Sequence, residues 1–194
     1  MARLSLTTQA QQLILDRVSS GDAVIDATLG NGHDALFLAQ CIGRLGVLFG
    51  FDIQPQALAN TQQSLAMLTQ PPEICLMLVS HAEMLERIPV AFQGRIQAIM
   101  FNLGYLPGAD KLCITQADST LIALNAAIEL LAPGGIVTVM VYPGHPGGER
   151  EAEAVRHWLE ALDERRYCVE CIASHSDKSS APRLFVIDKR VDLL

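Results

Sequence analysis

The sequence predicts an α/β fold: a seven-stranded, mostly parallel sheet covered by helices and closed by a C-terminal antiparallel hairpin. Three observations predict it. Strand-like apolar runs alternate with stretches of helical spacing along the chain. The runs are nearly continuous in apolar character, as strands buried on both faces must be. The last two strand-like segments leave no room between them for a crossover helix, so they pair as a hairpin.

Each element follows in order. Residues 1–18 read as an amphipathic helix with Leu13, Ile14 and Val18 toward the core. Apolar strands are expected at 23–27, 46–51, 74–79, 96–101 and 135–142. Helical spacing covers 34–42, 55–68, 82–87 and 116–131. Pro55 suits a first helical turn. Thr115-Gln116-Ala117-Asp118 has the form of a capping box, and Leu131-Ala132-Pro133-Gly134-Gly135 that of a stop signal. A helix at 149–163 precedes strands at 167–173 and 183–189. Five βα units ending in a hairpin form the Rossmann-like architecture of class I methyltransferases. A nicotinamide-binding domain more often continues with parallel units. The 194 residues suit one domain, 1–194.

Composition narrows the class. Half of the residues are hydrophobic and 18% are charged, enough apolar material for a core without staples. No run of 18 apolar residues occurs, so no membrane span is expected. The N-terminus lacks the pattern of a signal peptide. Five scattered cysteines (41, 75, 113, 168 and 171) suggest a reducing, cytoplasmic setting rather than a disulfide framework. Cys168 and Cys171 lie on an alternating segment that points them to opposite faces, so no metal site is expected. The net charge of −7 and pI near 5.1 argue against a broad basic nucleic-acid surface, though not against a local contact with an RNA loop.

The chemistry gathers at the strand ends. The first strand runs into Asp26-Ala27-Thr28-Leu29-Gly30-Asn31-Gly32-His33-Asp34, where Gly30 and Gly32 allow a tight turn close to a ligand. A Gly-x-Gly alone serves a dinucleotide, a methyl donor or only a turn. Asp26 sharpens the reading: a carboxylate there suits the cationic amino-acid portion of S-adenosylmethionine and repels a pyrophosphate. Asp52, at the tip of the second strand, can accept both ribose hydroxyls; its plainer reading is an acid leading the next helix. With Thr28, Asn31, Asp34, Ile53 and Gln54, these residues form the candidate cofactor site. His81 borders the adenine position, while Ser80 and Glu83 also read as a helix cap and a first-turn acid.

The fourth strand leads into Asn102-Leu103-Gly104-Tyr105, which looks like the Asn-Pro-Pro-Tyr loop of amino-group methyltransferases. Asn102 would serve both cofactor and catalysis, with Leu103, Gly104 and Tyr105 on the substrate. A reacting nitrogen must turn its lone pair toward the methyl group, so it needs acceptors for its N–H bonds. Past the fifth strand, Tyr142-Pro143-Gly144-His145-Pro146-Gly147-Gly148-Glu149 suggests a substrate lip, with Tyr142, Gly144 and His145 as contacts. His145 and Tyr105 are candidate proton acceptors. Glu149 equally favours a helix N-terminus. Lys178 and Arg183 are candidate RNA-phosphate contacts on a loop that is otherwise a solvated one.

These blocks (Asp26–Asp34, Phe51–Gln54, Phe101–Lys111 and Tyr142–Glu149) resemble the MnmM/YtqB-type family, long labelled as rRNA methylases. The resemblance covers nearly the whole chain. His33-Asp34-Ala35-Leu36 stands where many members carry His-Asp-Thr. The resemblance implies S-adenosyl-L-methionine as cofactor and the anticodon stem-loop of tRNA as partner. It also implies methylation of the aminomethyl nitrogen of 5-aminomethyl(-2-thio)uridine at the wobble position. A homodimer is compatible with this reading. Two other methyltransferase readings stay open, an rRNA acceptor and a small-molecule amine. From other classes, a dinucleotide-dependent oxidoreductase is opposed by Asp26, and a non-catalytic binding module by Asn102 and Tyr105.

Overall fold

Successive strand residues face opposite sides of the sheet while the central strands stay buried throughout, and that alternation builds two cores from one sheet. In the computed structural model, residues 4–104, 114–174, 178 and 180–191 are described. The strands are β1 (Ala23–Asp26), β2 (Val47–Asp52), β3 (Glu73–Leu78), β4 (Ile96–Asn102), β5 (Leu131–Val141), β6 (Tyr167–Ala173) and β7 (Arg183–Lys189). They form one sheet in the order β3-β2-β1-β4-β5-β7-β6. All pairings are parallel except β5 with β7 and β6 with β7. The expected terminal hairpin is present at the expected residues.

The helices are α1 (Leu6–Leu15), α2 (His33–Ile42), α3 (Pro55–Leu65), α4 (Met84–Arg87), α5 (Ala117–Leu130) and α6 (Gly148–Glu160). On one sheet face Val24, Leu48, Ala98 and Met100 pack with Ile14 of α1, Leu38 of α2 and Leu65 of α3. On the other, Ile25, Phe49, Ile99 and Phe101 pack with Leu124 of α5 and Val155 of α6. Neighbouring residues such as Val24 and Ile25 thus serve opposite cores, which is why these strands read as continuous apolar runs. Cys168 and Cys171 lie exposed on β6, the edge strand.

Two expectations needed correction. β5 begins at Leu131 rather than 135, because Leu131 pairs with Ile96 before a register shift carries Ala98 onto Ile136. The Pro-Gly-Gly sequence lies inside this irregular strand entry and does not precede it. Thr115 does not cap α5: the N-cap is Gln116, with no side-chain cap hydrogen bond. The Thr115 hydroxyl is engaged elsewhere, as described below.

The strand order reverses between β1 and β4, since β2 lies to one side and β5 to the other. In open α/β sheets such a reversal leaves a crevice beyond the C-terminal strand ends. Most of the residues singled out from the sequence lie there.

Candidate active site

A cavity of about 620 Å³ opens at the ends of β1, β2, β4 and β5. Its wall contains Thr28, Gly30, Asn31 and Asp34 from the segment after β1, and Asp52, Ile53 and Gln54 from the β2 end. His81 follows β3; Asn102, Leu103 and Gly104 come from β4; and Tyr142, Gly144 and His145 follow β5. Residues from five separate strand ends are thus brought to one volume.

At β2, the Asp52 carboxylate accepts N–H bonds from Gly30 at 3.1 Å and from Gln54 at 2.9 Å. A carboxylate has about four acceptor positions, so two remain for a diol. Asn31 is fixed by a 2.9 Å bond from the Asn60 side chain of α3 to its carbonyl oxygen. His81 is buried, with its ring edge toward Phe101 at 5.9 Å between centroids. Burial pushes its pKa below the ordinary histidine value, against the opposing pull of the Ala27 backbone and the Asp52 charge. The ring therefore meets the cavity as a neutral, flat surface.

Asn102 joins the two halves of the site. Its backbone N–H donates to the Thr28 hydroxyl at 2.7 Å, across the seam between β1 and β4. Its side-chain nitrogen donates to the Asp34 carboxylate. A carboxylate can only accept, so this bond fixes the amide: nitrogen toward Asp34, oxygen toward the cavity side, where the Tyr142 hydroxyl lies at 3.5 Å. The Tyr142 hydroxyl has its pKa raised by burial and then by the Asp34 charge, so it remains a donor.

Asp34 and Asp26 form a buried acidic pair. Asp26 is 1% exposed and Asp34 is 8% exposed. One oxygen of each, Asp26 Oδ2 and Asp34 Oδ1, has no hydrogen-bond partner. Burial raises both carboxyls first; the Asp34 charge, and less strongly Asp52, raise Asp26 further. The Gln11 and Asn102 side chains and His33 oppose the rise at Asp34. A buried acceptor left bare costs on the order of 1–3 kcal/mol, so a cationic ligand group placed here would offset a cost the protein already carries.

Past β5, His145 Nδ1 lies 3.0 Å from the Pro146 carbonyl oxygen. A carbonyl only accepts, so Nδ1 carries the hydrogen; in the neutral ring Nε2 is then an acceptor. Gly104 adopts φ 134°, and a Cβ there would stand 3.4 Å from His145 Nε2. The glycine lets β4's exit run directly beside the imidazole.

Several sequence-selected residues lie elsewhere. Asp26 is not on the cavity wall: it lies behind the loop, where its Oδ1 accepts the Thr28 N–H at 3.1 Å. Gly32 is not on the wall either. Its φ of 77° and the 2.7 Å from a would-be Cβ to Thr61 Cα mark it as the place where α2 meets α3. Lys178 and Arg183 do not line the cavity, and Arg183 is the first residue of β7. Tyr105 lies outside the described residues. Conversely, Thr7, Thr115, Gln116, Ser119 and Ser180 line the cavity without having been singled out as site residues. The acid buried beneath it is Glu151, not Glu149. Its signal was weak, because both fall in the first turn of α6, where acids are common.

Residues 48–188 match the family model described as "Putative rRNA methylase". The chain is 39% identical over 164 residues to an Arabidopsis thaliana protein named tRNA (mnm(5)s(2)U34)-methyltransferase, chloroplastic. That alignment covers 80% of this chain and 59% of the relative, so the chain spans less than two thirds of that protein. A Clostridium thermocellum structure with the same rRNA-methylase designation superposes with a TM-score of 0.91 at 37% identity, covering 97% of this chain and 100% of that one. A Streptococcus mutans structure in complex with SAH gives 0.84 at 30% identity, covering 97% and 99%.

Proposed function

From the premise that this chain belongs to the "Putative rRNA methylase" family, we propose that it is an S-adenosylmethionine-dependent N-methyltransferase. We further propose that its acceptor is the aminomethyl nitrogen of 5-aminomethyl(-2-thio)uridine at the tRNA wobble position. The observation that carries the reaction class is the fixed Asn102 amide, whose oxygen is turned to the cavity by the Asp34 carboxylate. The SAH-bound relative and the named tRNA methyltransferase support cofactor and substrate.

The residues present fit the methyl donor. Asp52 has acceptor positions left for a ribose diol, His81 and Ile53 offer flat and apolar surface, and the Asp34 oxygen without a partner suits an ammonium. When bound, the donor supplies an electrophilic methyl group on a sulfonium. The chain's part is to align the amine. Asn102 Oδ1 accepts one of its N–H bonds, which leaves the lone pair directed elsewhere. An alkylammonium has no lone pair, so its proton must leave before the nitrogen can attack; His145 borders the cavity beside Gly104, with its Nε2 turned in between Gly104 and Gly148. Asn102 thus orients the amine. The net charge of −7 limits RNA contact to a local patch, consistent with a stem-loop end.

The test is direct. The protein is incubated with S-adenosylmethionine and tRNA from cells accumulating 5-aminomethyl-2-thiouridine, and the nucleosides are resolved by mass spectrometry. Conversion to the methylaminomethyl nucleoside is expected. Unconverted tRNA alongside methylation of rRNA or of free amines would overturn the substrate assignment.

A further inference from the structure

Beneath the exit of β4 lies a buried carboxylate that neither binding nor proton transfer uses. Glu151, in the first turn of α6, is 3% exposed. It accepts hydrogen bonds from the Thr115 hydroxyl at 2.7 Å and the Thr120 hydroxyl at 2.7 Å. Each threonine hydroxyl has one proton, and in both it is directed at Glu151. The Thr115 oxygen is therefore forced to present lone pairs on its other side. There it accepts the Gly104 backbone N–H at 2.8 Å. In return the Thr115 N–H donates to the Gly104 carbonyl at 2.8 Å. Gly104 is the residue two beyond Asn102, and it lies against His145.

Burying a carboxylate in an apolar core costs free energy even at a helix N-terminus. Two threonines and an acid would be replaced there by hydrophobes if packing alone mattered, since exchanging every partner for apolar groups of like shape is nearly neutral. The arrangement is directional instead: acid to hydroxyl, hydroxyl to the backbone of the active-site turn.

We propose that Glu151 is a positioning residue for the acceptor, acting through the Thr115 hydroxyl to set the backbone of Gly104 between Asn102 and His145. This rests on the N-methyltransferase reading above. The role is distinct from the alignment proposed there for Asn102, because Glu151 does not line the cavity.

The test compares Glu151→Ala, Thr115→Val, Thr115→Ser and Thr120→Val with the wild type. Three quantities are read for each: SAH affinity by calorimetry, kcat/KM toward the tRNA acceptor, and amide hydrogen exchange at Gly104 in the SAH complex. Thr115→Val and Glu151→Ala are expected to lose on the order of 10- to 100-fold in acceptor kcat/KM, the scale of a misplaced nucleophile, with SAH affinity within about threefold. Both should expose the Gly104 amide to exchange. Thr115→Ser restores the hydroxyl and should recover rate and protection. Thr120→Val removes the other donor to Glu151 but keeps the link to Gly104, so it should lower the melting temperature without the loss in rate. Equal rate losses in Thr115→Val and Thr120→Val, or Gly104 protection unchanged in Thr115→Val and Glu151→Ala, would overturn the proposal. A wild-type protein that leaves tRNA unmethylated would instead overturn the substrate reading, and the exchange measurement would still decide the role of Glu151.

Discussion

Replacing Asn102 by alanine separates alignment from architecture. The backbone bond from Asn102 to Thr28 at 2.7 Å survives the change, so the β1–β4 seam stays closed. The bond to Asp34 is lost, along with the weaker 3.5 Å approach of Tyr142. A hydrogen bond to a charged group contributes about 1.5–3 kcal/mol. In a chain of this size 1 kcal/mol corresponds to about 2–4 °C, so the melting temperature should fall by roughly 3–12 °C. Alignment adds a separate effect. Without an acceptor for its N–H the amine is misdirected, and a loss of about 100-fold in rate is expected, or about 2.7 kcal/mol in the barrier. SAH affinity should change by less than about threefold, because the residues proposed to hold ribose and adenine, Asp52 and His81, lie on β2 and after β3. Single-turnover rate, SAH calorimetry and thermal unfolding on one preparation read all three. A rate within about threefold of wild type in the folded fraction, with the melting temperature depressed, would refute the alignment role and leave Asn102 as a loop brace.

Four other outcomes follow from the geometry. Asp34→Asn should raise the melting temperature by a few degrees, about 1–2 kcal/mol, by relieving the buried acidic pair, and it should weaken SAH binding; a fall in stability with unchanged affinity would contradict this. The pH dependence has a definite sign: Asp26 and Asp34 hold their protons more tightly folded than unfolded, so their contribution to stability is full below the ordinary carboxyl value of 3.8 and is lost as pH rises through the raised folded values. The stability difference between wild type and Asp34→Asn, followed by denaturant unfolding between about pH 4 and 7, should therefore widen in the variant's favour as pH rises. Gly32→Ala places a Cβ 2.7 Å from Thr61 Cα at φ 77°, so it should cost at least about 1–3 kcal/mol in thermal unfolding while the folded fraction keeps its turnover. Asp52→Ala should weaken SAH binding about tenfold or more, near 1.4 kcal/mol, and calorimetry showing unchanged affinity would remove Asp52 from the ribose site.

The strand order and the hairpin were legible because burial on two faces leaves a continuous apolar signal, and because a short connection forbids a crossover. The cavity wall was legible where residue type and strand end coincide, as at Asp52 and Asn102. Two departures share one cause. Gly32 and Thr115 each carry a local meaning, whereas their placement depends on a partner far along the chain. Gly32 answers to Thr61 on α3, and Thr115 to Glu151 on α6. No spacing rule announces such partners. Thr7 was hidden because its helix reads only as amphipathic, although its turn also borders the cavity.

The seam between β1 and β4 has a consequence for how the chain reaches its working state. The Thr28–Asn102 bond spans 74 residues and the Asp34–Asn102 bond spans 68. Parallel pairing of this range must pay loop-closure entropy before its contacts give anything back, so it forms late relative to local helices and to the adjacent β1–α2–β2 unit. A chain emerging from the ribosome would carry Asp52 and the β1 loop well before β4 arrives to complete the seam. The Asp52 side of the cavity can therefore be assembled while the Asn102 amide is still unplaced. On the proposed reading of Asn102, turnover would require the central seam to have closed.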